Sequence, residues 1–282
     1  MKEQQEVPAT GSLGLTYSVN EDGTTCTVTG IGTCTDSEII IPKKSPEGYR
    51  VTKIGNNAFA DSSATSITIP DTVTEIGTRA FYNCTGITEI HIPASVTKIG
   101  TQIFYKASAL NTVYYDSTYS DIDNRFLSVA NIKKVVFGGE IVPRYILNEC
   151  TNITDIEILD SVTSIRFRAF YGCSKLTSVV IPDSVTSIGG SAFSGCSGLT
   201  SIAIPNSVTS IGSYAFSGCS GLTSVTIGNS VTSIGEYAFS DCSKLKEIHY
   251  NGTIEQWKAI QKGFAWDVGT RDYTVYCTDG NI

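Results

Sequence analysis

The chain repeats itself every 23 residues between Ile158 and Tyr250, and this period limits the folds that are open to it. Successive units share an isoleucine at one position, a phenylalanine at a second and a cysteine at a third. A fixed period of about 20 to 50 residues is typical of solenoids, in which each unit buries its apolar face only against its neighbours. The sequence therefore predicts a solenoid, a fold that presents a long surface.

The unit that begins at Leu199 shows how each repeat should fold. Leu199, Ile202 and Ile204 have the L-x-x-L-x-L spacing of leucine-rich repeats, in which a short strand points alternate residues inward. Pro205 lacks a backbone donor and should end this strand. A second extended segment should follow, and Phe216 should fill the core from a helical or 3-10 turn. We predict a leucine-rich repeat solenoid of about nine repeats with short parallel strands.

The two ends of the array depart from the regular repeat and predict caps. Leu15–Val19 alternates before a turn and should form an N-terminal hairpin. Thr253–Gln256 matches a capping box, which predicts a short helix, and Tyr273–Cys277 should form a last strand. The predicted divisions are an N-terminal cap at 1–40, a repeat array at 41–250 with degenerate repeats at 115–157, and a C-terminal cap at 251–282.

The composition argues against several classes of partner. The net charge is −7 and charged residues make up 17% of the chain, with no cluster of lysine and arginine. Such a chain is a poor candidate for binding nucleic acid or anionic membranes. No apolar run approaches the roughly 18 residues of a spanning helix. Met1–Thr10 is polar and lacks a secretory signal, so either an export signal has been removed or the protein stays inside the cell.

The nine cysteines do not predict a metal site or a disulfide framework. Six of them share one repeat position, where parallel side chains on adjacent turns do not point at each other as a disulfide requires. We predict buried free thiols there. No CxxC pair or Cys/His cluster is present, and no cofactor is expected. Cys26 and Cys34 flank a tight segment and could be cross-linked.

The repeated units resemble a known family. Units of the form I-P-x-S-V-T-x-I-G-x-x-A-F-x-x-C-x-x-L-T-x-V are similar to BspA-type (Treponema-type) bacterial leucine-rich repeats over most of the chain. The resemblance implies a bacterial protein that is exposed on the cell surface or secreted. For some members it implies an adhesin that binds host matrix proteins such as fibronectin and fibrinogen. It brings no shared catalytic residues.

The outward positions of the predicted strands are where a partner would bind. In the middle of the chain they carry aromatic, basic and acidic side chains, the mixture expected of a protein-binding surface. The same stretch holds the degenerate repeats, and insertions in a solenoid tend to fall on its binding face. The alternative is that these are ordinary solvated side chains of decayed repeats. The predicted partner-binding residues are Glu89, His91, Thr112, Tyr114, Lys134, Asp155 and Glu157.

The sequence gives little support to catalysis. His91 and His249 are about seven repeats apart, roughly 30 Å at one strand spacing each, so they should not share an active site. Glu89 beside His91 could form an acid–base pair, although Glu247 and His249 repeat the same spacing. Asp155 and Glu157 could bind a cation or a basic partner, but an exposed acidic patch is the favoured interpretation. We predict that the protein is not an enzyme.

Three functions fit this pattern. The favoured one is a monomeric, non-enzymatic module, at the cell surface or secreted, that binds a protein such as a host matrix protein through its strands. The first alternative is a structural spacer that displays another part of a larger protein. The second is a glycan-binding module that uses exposed aromatic rings such as Tyr114 or Tyr115.

Overall fold

The computed structural model describes residues 11–119 and 131–282, which divide into two compact units. The first unit consists of residues 11–119 and 131–132, and the second consists of residues 133–282. Each unit is a β-solenoid, and together they hold about ten turns of about 23 residues. The predicted leucine-rich repeat solenoid is therefore confirmed, whereas the boundaries of the caps and the array remain a prediction.

The strands of the first unit are β1 (Thr16–Val19), β2 (Thr25–Gly30), β3 (Glu38–Ile40), β4 (Arg50–Ile54), β5 (Ser66–Thr68), β6 (Glu75–Ile76), β7 (Glu89–Ile92), β8 (Lys98–Ile99) and β9 (Thr112–Tyr115). β1 and β2 form the predicted antiparallel hairpin. β2 also starts a parallel ladder that continues through β4, β6 and β8. β3 pairs with β5, and β7 pairs with β9, in two further parallel ladders.

The strands of the second unit are β10 (Lys134–Phe137), β11 (Ile141–Val142), β12 (Asp155–Ile158), β13 (Ser164–Ile165), β14 (Ser187–Ile188), β15 (Ser201–Ile204), β16 (Ser210–Ile211), β17 (Ser224–Ile227), β18 (Ser233–Ile234), β19 (Glu247–Tyr250), β20 (Gln261–Lys262), β21 (Thr274–Cys277) and β22 (Gly280–Asn281). The two-residue strands stack in parallel from β11 to β20. Among the longer strands, β10 pairs with β12, and β15, β17, β19 and β21 form one parallel ladder. The antiparallel β22 closes it.

The repeat sequence explains both kinds of strand. Ile202 and Ile204 of β15 are buried while Ser201 and Ala203 are exposed, and Pro205 follows where the strand ends. Gly212 follows the short strand β16 at a point where neighbouring turns touch. A Cβ on Gly212 would lie 2.5 Å from the backbone nitrogen of Gly190. Only glycine therefore allows the two turns to approach this closely.

A column of phenylalanines forms the centre of the second unit. The rings of Phe170, Phe193, Phe216 and Phe239 are fully buried, with centroids 5.0, 5.2 and 5.1 Å apart along the column. The turn that carries Phe216 closes with a hydrogen bond from the Ala215 N–H to the Gly212 carbonyl. Left-handed backbone at Tyr214, with φ of 60°, prevents a continuous helix there.

The cysteines of the repeat form a second buried column of free thiols, as predicted. The Sγ atom of Cys219 donates to the carbonyl of Phe193 at 3.2 Å, and Cys242 repeats this contact with Phe216. Burial raises the pKa of the Cys219 thiol well above its ordinary value, so the thiol stays protonated and unreactive. Cys26 and Cys34 are also free, and Cys26 is buried with its Sγ 3.6 Å from the Tyr49 carbonyl.

The predicted helix is present as α1 (Ile254–Ala259). The Thr253 side chain accepts from the Gln256 N–H, and the Gln256 side chain accepts from the Thr253 N–H, which completes the capping box. Trp257 is the buried residue of the helix. In the described residues no helix is long and apolar enough to cross a membrane.

Removal of the capping hydroxyl should destabilise this end of the second unit. We expect Thr253→Ala to lower the free energy of unfolding by about 1 kcal/mol. The Gln256 N–H loses the hydroxyl that accepts its hydrogen bond, and the reciprocal bond from the Thr253 N–H to the Gln256 side chain is less well aligned. Urea denaturation followed by circular dichroism measures the change. Thr253→Ser keeps the hydroxyl and should stay within about 0.5 kcal/mol of the parent. Equal losses in both variants would show that the capping box does not stabilise the cap.

One of the predicted strands is absent. Val179 and Ile181 are buried and Val180 is 79% exposed, so the alternation expected from the repeat is present. The segment nevertheless makes no strand pairing with β12 or β15 among the described residues. Alternation of side chains therefore does not by itself produce ladder hydrogen bonds.

Candidate functional site

The strand face is the set of side chains that point outward from the strands of three or four residues. In the first unit, the parallel register of β7 and β9 sets Glu89 beside Thr112 and His91 beside Tyr114. The inward residues of both strands, such as Ile90 and Val113, are buried. Four of the predicted partner-binding residues thus lie in two adjacent rows on one ladder.

His91 is the centre of a polar cluster on this face. Its Nε2 atom lies 2.6 Å from the Oδ2 atom of Asp116, and its ring meets the Tyr114 ring edge to face at a centroid distance of 6.3 Å. The imidazole remains about half exposed. The sequence suggested Glu89 as an acid–base partner of His91, and the structure shows that the carboxylate of Asp116 contacts the imidazole. The cluster can therefore offer a ring edge, an imidazole and a carboxylate to a partner.

Asp116 is a residue that the sequence analysis missed. The alternation that makes Thr112 and Tyr114 point outward also makes Asp116 point outward, so the signal was present. It was hidden because the residues that follow β9 no longer match the repeat. Ser117 anchors this segment, since its buried hydroxyl donates to the Val96 carbonyl at 2.6 Å.

The second unit places Lys134, Asp155 and Glu157 in one cluster. The Lys134 Nζ atom lies 3.1 Å from the Oδ2 atom of Asp155 and 3.0 Å from the Oε2 atom of Glu157. Glu157 and then Asp155 raise the pKa of Lys134 above its ordinary value. The lysine ammonium is thus the cation that these two carboxylates hold. Val136 is two residues after Lys134 on the same strand, where alternation predicts an outward side chain, but it is buried, so this strand presents only Lys134.

Other parts of the strand face are chemically plain. β15 and β17 present Ser201, Ala203, Ser224 and Thr226. Near the C-terminal end, Glu247 and His249 repeat the spacing of Glu89 and His91. The Glu247 carboxylate lies 3.1 Å from the His249 imidazole. The His249 ring stacks on Tyr276 at a centroid distance of 5.0 Å, a contact that the sequence analysis did not anticipate.

The structure also limits the glycan alternative. Tyr115 is fully buried and its hydroxyl donates to the Tyr119 carbonyl at 2.9 Å, so it cannot stack on a sugar. Of the two rings that we considered, only Tyr114 reaches the surface. The expectation for Tyr115 is wrong because the alternation of β9 turns this residue inward.

Side chains that could ligate a metal are dispersed over the described part of the chain. Across residues 11–119 and 131–282, no group of three or more His, Cys, Asp or Glu is gathered that could hold a metal ion. A depression in the first unit is lined by Tyr17, Glu47 and Tyr49 of the N-terminal region, and none of the predicted partner-binding residues lines it. The predicted partner-binding residues therefore lie outside this depression.

Comparisons with known proteins identify the repeat. A family model described as "BspA type Leucine rich repeat region", with six copies, matches residues 34–143 and 140–260. No curated protein matches the chain.

Several solved bacterial proteins are similar to the chain. A leucine-rich repeat protein from Eubacterium ventriosum is 21% identical, with 96% of this chain and 98% of that chain covered and a TM-score of 0.47. A leucine rich cell surface protein from Faecalibacterium prausnitzii is 24% identical, with 89% and 97% covered and a TM-score of 0.41. The pneumococcal vaccine antigen PcpA is 17% identical, with 95% and 98% covered and a TM-score of 0.41.

Proposed function

The chain belongs to the BspA-type leucine-rich repeat family, and on this premise we propose that it is a non-enzymatic module that binds a protein partner through its strand face. The proposed contact residues are the seven that the sequence analysis named, together with Asp116. A location at the bacterial surface or outside the cell is part of the proposal, since the family resemblance implies it. Host matrix proteins such as fibronectin and fibrinogen are the first partners to test, and a monomer is the expected state.

The observation that carries the proposal is the cluster of His91, Tyr114 and Asp116 on the strand face of the first unit. Tyr114 is half-buried, and tyrosine is one of the residue types enriched among the few that dominate a protein interface. The strands beneath are fixed by parallel pairing and by buried isoleucines. Binding should therefore require little rearrangement of the backbone, which favours affinity.

The cluster of Lys134, Asp155 and Glu157 has a different role in the proposal. Its three charges already neutralise one another in part, and all three side chains are at least one third exposed. Exposed charges of this kind add little affinity and instead influence orientation and the rate of association. We therefore expect this cluster to set selectivity while the cluster of the first unit supplies most of the binding energy.

Substitutions on the two clusters test this division of roles. For a partner that binds the intact chain, Tyr114→Ala with Asp116→Asn should weaken binding at least about tenfold, or about 1.4 kcal/mol. Lys134→Ser should change the affinity less than about threefold, with a larger effect on the association rate at low salt. Surface plasmon resonance on immobilised fibronectin and fibrinogen gives both quantities.

A matched control is available among the chemically plain outward residues of the second unit. Thr226→Ala changes an outward strand residue of β17 and should leave affinity and association rate unchanged. Unchanged affinity in the Tyr114 and Asp116 variant would remove the proposed surface. No binding of the intact chain at micromolar concentration would instead favour a structural spacer.

A further inference from the structure

The second unit carries an arginine and aromatic patch on its turns, in a chain whose net charge is −7. The patch consists of Tyr145, Arg166, Phe167, Arg168 and Tyr171. The Tyr145 N–H donates to the Phe167 carbonyl at 3.2 Å, which places the two turns side by side. None of these residues belongs to the strand face.

Arg168 is held in place by rings. Its guanidinium carbon lies 5.3 Å from the Phe167 ring centroid and 5.0 Å from the Tyr171 ring centroid, within the range of cation–π attraction. Its Nε atom is enclosed without a hydrogen-bond acceptor. Across the described residues the side chain makes no hydrogen bond or ion pair, and Glu149 of the preceding turn does not pair with it.

The next turn explains why Arg168 lacks a polar partner. In the first unit, Arg79 occupies the same turn position, also with positive φ, and its Nε atom donates to Gln102 of the following turn at 2.9 Å. The residue that follows Arg168 by one repeat is Ser191, whose side chain is too short for this contact. An arginine that is oriented by two rings but has no carboxylate is suited to an external anion.

The small residues of the following turn also leave the Phe167 ring exposed. Phe167 packs against Gly190, which has no side chain to cover the ring, and the ring stays 42% exposed. The Tyr145 ring meets Phe167 edge to face at a centroid distance of 5.5 Å and fixes its orientation. The patch therefore joins a fixed aromatic surface to Arg168, and the exposed Arg166 lies in the same turn.

We propose that this patch binds an anionic polysaccharide. Arginine pairs in a planar geometry with a carboxylate or a sulfate ester, and an exposed ring packs against the apolar C–H face of a sugar. An extended acidic peptide fits less well, because the turn N–H groups that it would need are taken. The N–H groups of Arg168 and Gly172 already donate to Gly190 and Ser194 of the following turn.

Binding to immobilised polymers tests the inference with the intact chain. Heparin presents sulfate esters, polygalacturonate presents carboxylates alone, and dextran is the neutral control. We expect saturable binding to at least one anionic polymer, no binding to dextran, and weaker binding as salt is raised. Arg168→Ser should weaken this binding at least about tenfold, and it should fold because Ser191 already occupies the same position with φ of 55°.

Arg79→Ser is the matched control, since it removes one arginine from the same turn position but leaves the patch intact. Arg79→Ser should change the affinity less than about twofold. If Arg168→Ser lowers the folded fraction, Arg166→Ser replaces it as the test and should also weaken binding. Three results would overturn the inference: no binding to either anionic polymer, equal losses in Arg79→Ser and Arg168→Ser, or equally tight, Arg168-dependent binding of poly-glutamate. The last result would assign the patch to acidic peptides.

Discussion

Phe216→Ala should lower the free energy of unfolding by about 3–5 kcal/mol. The ring is fully buried between Phe193 and Phe239, with centroids 5.2 and 5.1 Å away, so truncation leaves a cavity with a ring on each side. The turn cannot collapse to fill the cavity, because the N–H of Phe216 donates to the Ala238 carbonyl and fixes the spacing of the turns. Urea denaturation followed by circular dichroism measures the loss.

The control for this substitution lies in the same turn. Ser213 is exposed, and Ser213→Ala should stay within about 0.5 kcal/mol of the parent protein. A loss below about 1 kcal/mol for Phe216→Ala would mean that the phenylalanine column is not the centre of the core.

Gly212→Ala should also destabilise the second unit, by about 1–3 kcal/mol, through overpacking. The added Cβ would lie 2.5 Å from the backbone nitrogen of Gly190 and 2.6 Å from the carbonyl carbon of Gly189. Both are main-chain atoms, so relief requires the turns to separate and the hydrogen bond from the Gly212 N–H to the Ile188 carbonyl to lengthen. The same denaturation measurement reports the change.

A substitution at Gly218 is the control that distinguishes the effect of close contact between turns from the effect of backbone conformation. Gly218 has φ of 72°, but a Cβ there would meet no atom closer than 3.7 Å. Asn83 holds the equivalent position in the first unit with φ of 52°, so Gly218→Asn should cost less than about 1 kcal/mol. If Gly218→Asn destabilises the protein more than Gly212→Ala, the contact between turns is not what selects glycine after the short strand.

The periodic part of the fold was accessible from the sequence. A period of 23 residues forces equivalent side chains to stack, so Phe216 and Cys219 could be placed in the core without coordinates. The capping box at Thr253 was accessible for a similar reason, because it depends on residues three apart in the chain. These features are set by local spacing or by contact with the adjacent unit.

Features that depend on an irregular segment were not accessible. Asp116 pairs with His91 across 25 residues, at a point where the period has failed. Val136 is buried although alternation would point it outward. Within the regular repeats the exposure of Val180 follows the alternation, but its segment forms no strand pairing in the described part of the chain. The left-handed turn position that holds Arg168 was also missed, since Arg79, Tyr145 and Ser191 occupy it as well and share no sequence signal.

Both candidate sites lie in repeats that depart from the regular sequence. Regular repeats such as those of β15 and β17 present small hydroxyl side chains and give a partner little to recognise. The His91 cluster and the Arg168 patch occur where individual repeats depart from the consensus, on the strands of the first unit and on the turns of the second. A solenoid tolerates such departures because each unit contacts only its neighbours.

Titration of the intact chain against immobilised fibronectin and fibrinogen, with the Tyr114→Ala and Asp116→Asn variant beside Thr226→Ala, tests the central claim most directly. The proposed function predicts saturable binding to at least one of these proteins, weakened at least about tenfold in the first variant and unchanged in the second. Saturable binding with the same affinity in all three proteins would contradict the assignment of the strand face as the binding surface.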